Sequence, residues 1–276
     1  MQDDKPTVVL ICHEQDRLDT EGLAWWLAST LRLAGLIIIR DPQNRLWRAA
    51  RREIRRVGWL RFVDVVAFRA FARLRLARRD AAWKVSALQR LRRRYPADLE
   101  PVPRIVVSSP NSDESRAFLE RLQPDLTIAR CKVILKRAIF EVPRAGTFVL
   151  HPGICPEYRN AHGCFWALAR RDLDRVGMTL LRVDPGVDTG PIFLHGTYDF
   201  DEVEESHSVI QYRTVLENLD AIGAVLTSIC RGERVEPVKT DGRRSAAWGQ
   251  PQLTAYLRWK WNARRSRDEH RIPAVS

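Results

Sequence analysis

The chain opens on an apolar, β-rich run, Thr7 to Cys12 (TVVLIC), of the kind that forms a buried parallel strand. From Leu18 to Leu33 the pattern changes to helical spacing, with Leu23, Trp26, Leu27, Thr30 and Leu31 on one face. Gly35 to Ile39 is β-rich again, so the N-terminal segment predicts a strand, helix, strand unit. Further strand-like runs lie at Arg104 to Val107, Leu126 to Ala129, Thr147 to Leu150 and Met178 to Val183, and a helical pattern covers Asp113 to Leu122. This alternation predicts an α/β fold with a mostly parallel sheet and helices on both faces.

Residues 43 to 98 break the rhythm. They read as two or three helices with no strand between them, a helical insertion. From Trp59 to Leu76, a stripe of Leu60, Val63, Val66, Ala67, Ala70, Phe71 and Leu74 predicts an amphipathic helix whose polar side carries Arg61, Arg69, Arg73 and Arg75. Later, Ser206 to Arg231 reads as one long helix, and Gln250 to Arg267 as a peripheral one. The expected organisation is a main domain over residues 1–232, interrupted by the insertion at 43–98, and a basic helical extension over 233–276.

Composition narrows this picture. The 276 residues are 45% hydrophobic and 29% charged, which suits a soluble globular chain able to bury a full core. No segment offers the roughly 18 consecutive apolar residues of a membrane span. The N-terminus lacks a basic region followed by an apolar stretch, so a cytoplasmic location is expected. Five scattered cysteines without a CxxC pair predict reduced thiols, with neither a disulfide framework nor a metal site.

Charge changes the picture more. The net +12 is concentrated between Arg45 and Arg94, where 17 Lys or Arg face three acids, leaving the remainder near neutral. Three uses of residues 45–94 stay open: a solvated arginine face, docking on an anionic membrane surface, and nucleic-acid contact. The last lacks a recognisable DNA- or RNA-binding motif and is the less favoured partner.

Candidate chemistry lies between residues 124 and 192. His151 ends the run Gly146 to Leu150 and is followed at once by Pro152 and Gly153, placing it where parallel sheets bind ligands. The turn-rich loop Asp184-Pro185-Gly186-Val187-Asp188-Thr189-Gly190 follows another strand. An aspartate there could orient a histidine for proton transfer or for stabilising an oxyanion. His13, at the first strand's end, reads as structural or ligand-adjacent, and Cys155 and Cys164 as packing residues.

Several motifs in fixed order carry a resemblance: His151-Pro152, Pro156-x-Tyr158-Arg159, Trp166-Ala167-Leu168 and Val183-Asp184-x-Gly186-x-Asp188-Thr189-Gly190. Together they resemble the active-site core of the formyltransferase superfamily, which implies a Rossmann-like fold and 10-formyltetrahydrofolate as cosubstrate. The resemblance makes His151 the catalytic histidine and Asp188 its assisting aspartate. It places the folate's pterin end against Val133, Ile134 and Leu135 and against Asp184, Gly186 and Val187. One position departs. The family reads Asn-x-His where this chain has Val149-Leu150-His151, and valine cannot donate a hydrogen bond. Loss of one oxyanion donor costs about 10²- to 10³-fold in rate, so Asn160 and His162 become candidate substitutes.

The resemblance implies formyl transfer to a primary amine. The family's tRNA enzymes carry a C-terminal β-barrel, whereas the residues after Gly232 read as helical, so a small sugar-, nucleotide- or lipid-linked amine is the expected acceptor. Two alternatives remain: a catalytically silent folate- or anion-binding module, suggested by Val149, and a formyltetrahydrofolate hydrolase.

Overall fold

Strand β1 (Thr7–His13) is buried along almost its whole length because its alternating side chains meet apolar neighbours on both faces. In the computed structural model, which describes residues 5–40, 53–55 and 58–271, Val8, Leu10 and Cys12 enter one cluster and Val9 and Ile11 another. The first cluster packs the sheet against α1 (Ala24–Thr30), α3 (Ala77–Arg94) and α8 (Leu219–Cys230). The second packs it against α4 (Asp113–Leu122) and α5 (Arg137–Phe140). Each fully buried Leu, Ile or Phe contributes about 1.5–3 kcal/mol, which explains why β1 sits near the middle of the sheet.

Strands β2 (Arg32–Ile39), β3 (Arg104–Val107), β4 (Leu126–Arg130) and β5 (Gly146–His151) run parallel with β1. Strand β7 (Met178–Arg182) adds antiparallel to β5, and β8 (Ile192–Gly196) adds antiparallel to β7 at the edge. These seven strands form one sheet in the order β3-β2-β1-β4-β5-β7-β8. The fold is therefore mostly parallel and Rossmann-like, with helices on both faces. A separate two-stranded ladder joins β6 (Arg159–Asn160) to β9 (Ala247–Trp248).

Three local expectations need correction. The helical pattern from Leu18 does not reach Leu33: a π-helical turn (Leu18–Leu23) leads into α1, Leu31 is already extended, and β2 begins at Arg32. Leu31 and Leu33 are buried in either state, so periodicity could not separate them. The long helix expected over Ser206 to Arg231 is two, α7 (His207–Leu216) and α8. Asn218 sits at the break, and its amide donates to the carbonyls of Thr197 (3.0 Å) and Thr214 (2.8 Å), substituting side-chain for backbone partners.

The third correction concerns α2 (Trp59–Phe71), which continues through a π-helical segment (Ala72–Leu76) into α3. Its buried residues are Val65 and Phe68; of the predicted stripe, Phe71 packs on Tyr256, while Leu60, Val63, Val66 and Leu74 face solvent. Phe68 packs against Phe165, His207 and Tyr256, joining α2 to α6 (Gly163–Ala169), α7 and α9 (Leu253–Arg271) in a third cluster outside the sheet. The rest of the predicted insertion, residues 43–52 and 56–57, lies outside the described residues. Among the described residues, no helix is long and apolar enough to cross a membrane, and the five cysteines are free thiols.

Candidate active site

His151 is the last residue of β5 and is buried there. Its Nε2 lies 2.7 Å from the carbonyl oxygen of Tyr158. A carbonyl only accepts, so Nε2 carries a proton and donates it. The opposite nitrogen, Nδ1, faces Asp188 Oδ2 at 3.6 Å. Asp188 is fixed in turn by the backbone N–H of Asn160, which donates to Oδ2 at 2.7 Å. The arrangement sets a ring nitrogen opposite a carboxylate, just beyond hydrogen-bond distance.

Backbone crowding sets this geometry. A Cβ built on Gly153 would lie 2.8 Å from His151 Nε2 and 2.7 Å from the Tyr158 carbonyl, and one on Gly163 would lie 2.7 Å from that same carbonyl. Only hydrogen at both positions lets the 152–163 loop fold back over the histidine. Beneath it, Arg130 at the end of β4 donates from Nη1 to the Leu150 carbonyl at 2.6 Å and from Nε to Asp19 at 3.1 Å. Burial pushes the Asp19 carboxyl up to about 6, against the lowering influence of Arg130.

Asn160 works in two directions. While its N–H holds Asp188, its side-chain amide donates to the Trp248 carbonyl of β9 at 2.6 Å. The Trp248 ring stacks between Tyr158 (5.7 Å between centroids) and Trp166 (5.1 Å). The C-terminal segment is therefore bonded to the loop that carries the site. The Tyr158 and Trp248 rings and the Glu157 carboxylate, paired with Arg243 and Arg175, line a cavity of about 380 Å³.

The 183–190 loop is built on Asp184. Its Oδ1 accepts from the Gly186 N–H at 3.0 Å, and both oxygens accept from Thr189 Oγ1 at 2.8 and 2.9 Å. Gly190 has no room for a Cβ, which would fall 1.9 Å from the Arg182 carbonyl. Val187 is left partly exposed, and its carbonyl accepts from Arg159 Nη1 at 2.8 Å. The Nε of the same guanidinium is buried and has no hydrogen-bond partner.

In the 131–136 loop, the Val133 carbonyl accepts from the Cys131 thiol at 3.4 Å. Asn111 clamps residues 134–136: its amide nitrogen donates to the Ile134 carbonyl at 2.9 Å and its oxygen accepts from the Lys136 N–H at 2.8 Å. Leu135 is thereby tucked into the core while Ile134 projects outward. His13 adds a further tie, accepting at Nε2 from the Lys132 N–H at 3.2 Å.

Of the sequence candidates, the structure brings His151, Asp188 and the Asn160 backbone together and places Asp184, Gly186 and Val187 on the same loop as Asp188. The ring of His162 turns elsewhere, with Nδ1 3.2 Å from Gln211 Oε1 and its centroid 6.4 Å from that of His207. Sequence reading did not single out Arg130, Asp19, Asn111 or Trp248. Arg130 alone left a trace, as a charge closing an apolar strand.

Burial lowers His162 to about 4 and His207 to about 3, so both rings stay neutral in the folded chain. A folded-state value below the unfolded one contributes stability that is complete above the unfolded pKa and is lost as pH falls. With an unfolded pKa of about 6.5, His207 alone should cost about 2 kcal/mol of stability at pH 5 relative to pH 8. Urea unfolding of the wild type and of His207→Phe at both pH values checks this: the variant should lose less stability on acidification. An equal loss would mean that His207 is protonated in the folded state.

Comparison with known proteins places the site in context. The profile of the family described as Formyl transferase matches residues 85–226, just over half of the chain and the segment that holds His151 and Asp188. A methionyl-tRNA formyltransferase from Dehalococcoides mccartyi is 35% identical over 81 residues, which are 29% of this chain and 26% of that protein. The chain thus matches about a quarter of the length of such relatives. Among solved structures, phosphoribosylglycinamide formyltransferase from Anaplasma phagocytophilum aligns with a TM-score of 0.53 at 13% identity, covering 90% of this chain and all of the other. A sugar N-formyltransferase from a Shewanella species aligns with a TM-score of 0.52 at 12% identity, covering 92% of this chain and 87% of the other. At such identities the likeness is one of fold.

Proposed function

Since the chain belongs to the formyl transferase family, we propose that it is an enzyme that transfers a formyl group from 10-formyltetrahydrofolate to a primary amine of a small acceptor. The observation that carries this reading is the pairing of His151 with Asp188 at the open end of β5, inside the matched segment.

The residues around the site suit a folate. Ile134 and Val187 expose apolar side chains on the two loops, as a flat pterin ring would require, and the clamp by Asn111 holds the first loop in shape. Val133, Ile134 and Leu135 would flank the ring on one side and Asp184, Gly186 and Val187 on the other. The carrier supplies an electrophilic formyl carbon. As the acceptor nitrogen bonds to it, the bond to the carrier nitrogen breaks. One proton leaves the amine and one reaches the departing nitrogen. His151, poised against Asp188, would move these protons, and Asp188 would balance the charge on the ring.

Asn160 and His162 fit less well as donors to the formyl oxygen, because the Asn160 amide is committed to Trp248 and His162 to Gln211. Arg159 is the better substitute for the amide missing at Val149. Its guanidinium lies beside Asp188 through the Val187 carbonyl and keeps a buried, unused Nε–H. In this reading the segment after Gly232 secures the site through the Trp248 carbonyl and the ring stack. The acceptor is expected to be a sugar-, nucleotide- or lipid-linked amine. A silent folate-binding module is the second reading, favoured by Val149 alone.

The test is titration with a stable 10-formyltetrahydrofolate analogue beside an assay of tetrahydrofolate release with a panel of amines and with water. Binding with amine-dependent release supports the transferase. Release with water alone supports a hydrolase, binding without release supports the silent module, and absence of binding overturns the folate reading.

A further inference from the structure

Helix α2 has two apolar faces and buries only one. Val65 and Phe68 point into the cluster shared with α6, α7 and α9. On the other side Leu60 is 86% exposed, Trp59 64% and Val63 50%, and Leu74, in the π-helical segment that continues α2, is 80% exposed. These residues recur at helical spacing and form a continuous stripe facing away from the protein. An exposed large apolar side chain is ordinary when single; a stripe along one helix marks a surface that has a partner.

Charge identifies the partner. Residues 59–94, which contain α2 and α3, carry eleven Lys or Arg against two acids. Both acids are engaged within the fold: Asp64 accepts from the backbone and hydroxyl of Thr254, and Asp80 is half buried beside Ser206. Arg61, Arg69 and Arg73 are exposed on the same helical run. A second copy of this chain would press the same positive field against itself. A nucleic acid would neutralise the arginines but would leave the apolar stripe in water. An anionic bilayer satisfies both, with leucine, valine and tryptophan entering the acyl boundary and the arginines reaching lipid phosphates.

We propose that the solvent-facing stripe of α2, with the exposed arginines of the same helical run, docks the protein on an anionic membrane surface, with the helix lying in the interface plane. The inference goes beyond the proposed transferase activity and does not depend on it. It does place the site near the membrane, since α2 packs through Phe68 on Phe165 of α6, the helix that starts just after the Asn160 loop.

The experiment is flotation of the full chain with vesicles of phosphatidylcholine alone and of phosphatidylcholine mixed with phosphatidylglycerol, at low and high salt. The wild type should float with the mixed vesicles, weakly with the neutral ones, and less as salt rises. The double variant Leu60→Glu, Leu74→Glu should bind on the order of tenfold more weakly, since it removes apolar insertion and adds repulsion. Both side chains are exposed, so the variant should fold; matching circular dichroism and unchanged binding of the folate analogue establish that. Val106→Glu, an exposed change on the edge strand β3, should float like the wild type. The proposal is overturned if mixed vesicles do not capture the wild type, or if the double variant binds as well as Val106→Glu. It is also overturned if the double variant abolishes a dimer in sedimentation while the wild type ignores vesicles, which would assign the stripe to self-association. Retention of RNA at a level indifferent to Leu60→Glu, with no flotation, would assign the arginines to nucleic acid. Failure of the transferase reading would appear separately, as loss of folate-analogue binding in vesicle-free solution.

Discussion

His151→Ala is expected to lower amine-dependent tetrahydrofolate release by about 10²- to 10⁴-fold while leaving folate-analogue binding nearly intact. The ring is buried, donates to the Tyr158 carbonyl and faces Asp188, so alanine removes the group that would carry protons between the two nitrogens. Asp188→Asn should cost about 10²-fold or more, because asparagine can still accept the Asn160 N–H but no longer balances a charged imidazole. The two residues act as one unit, so the double variant should be hardly slower than His151→Ala alone. Single-turnover measurements check all three. If either single variant turns over at the wild-type rate, the assigned roles are wrong, although the fold and the folate reading could stand. Strictly additive losses would mean that the two side chains act independently.

Legibility of this chain followed the physics of each element. Strand β1 is readable as an unbroken apolar run buried on both faces, and the predicted Arg104 to Val107 and Asp113 to Leu122 coincide with β3 and α4. The region around Leu31 is not readable, since residues buried equally in helix and strand give no periodic contrast. Strands β6 and β9 span two residues each, too short to leave a pattern, yet they tie the C-terminal segment to the site. For α2 the sequence shows an apolar stripe, and the natural inference is burial. The tertiary structure uses the opposite face, because Phe68 finds Phe165, His207 and Tyr256. His151 and Asp188, which ordered motifs single out, lie 3.6 Å apart in the structure. Arg130, Asp19 and Asn111 act at long sequence separation, where a single sequence holds no distance information.

The second large effect concerns the donor missing at Val149. By strand alternation Val149 shares a face of β5 with His151, so an amide there would point toward the same site; the valine instead packs with Cys155, Leu181 and Ile192. Arg159 offers the alternative, with Nη1 on the Val187 carbonyl and a buried Nε–H that has no partner. Arg159→Met keeps much of the side-chain bulk and removes the donors, so turnover should fall by about 10²-fold if the guanidinium polarises the formyl oxygen. Loss of activity alone would not separate this from a loosened loop, since the bond to Val187 also goes. Adding Val149→Asn to Arg159→Met supplies the separation. An amide restored beside His151 should recover a good part of kcat if the missing function is electrophilic. A structural role would instead raise KM for the folate and leave kcat unrescued. Wild-type turnover in Arg159→Met would remove Arg159 from the mechanism and return the question to the backbone N–H groups of the Asp188 loop.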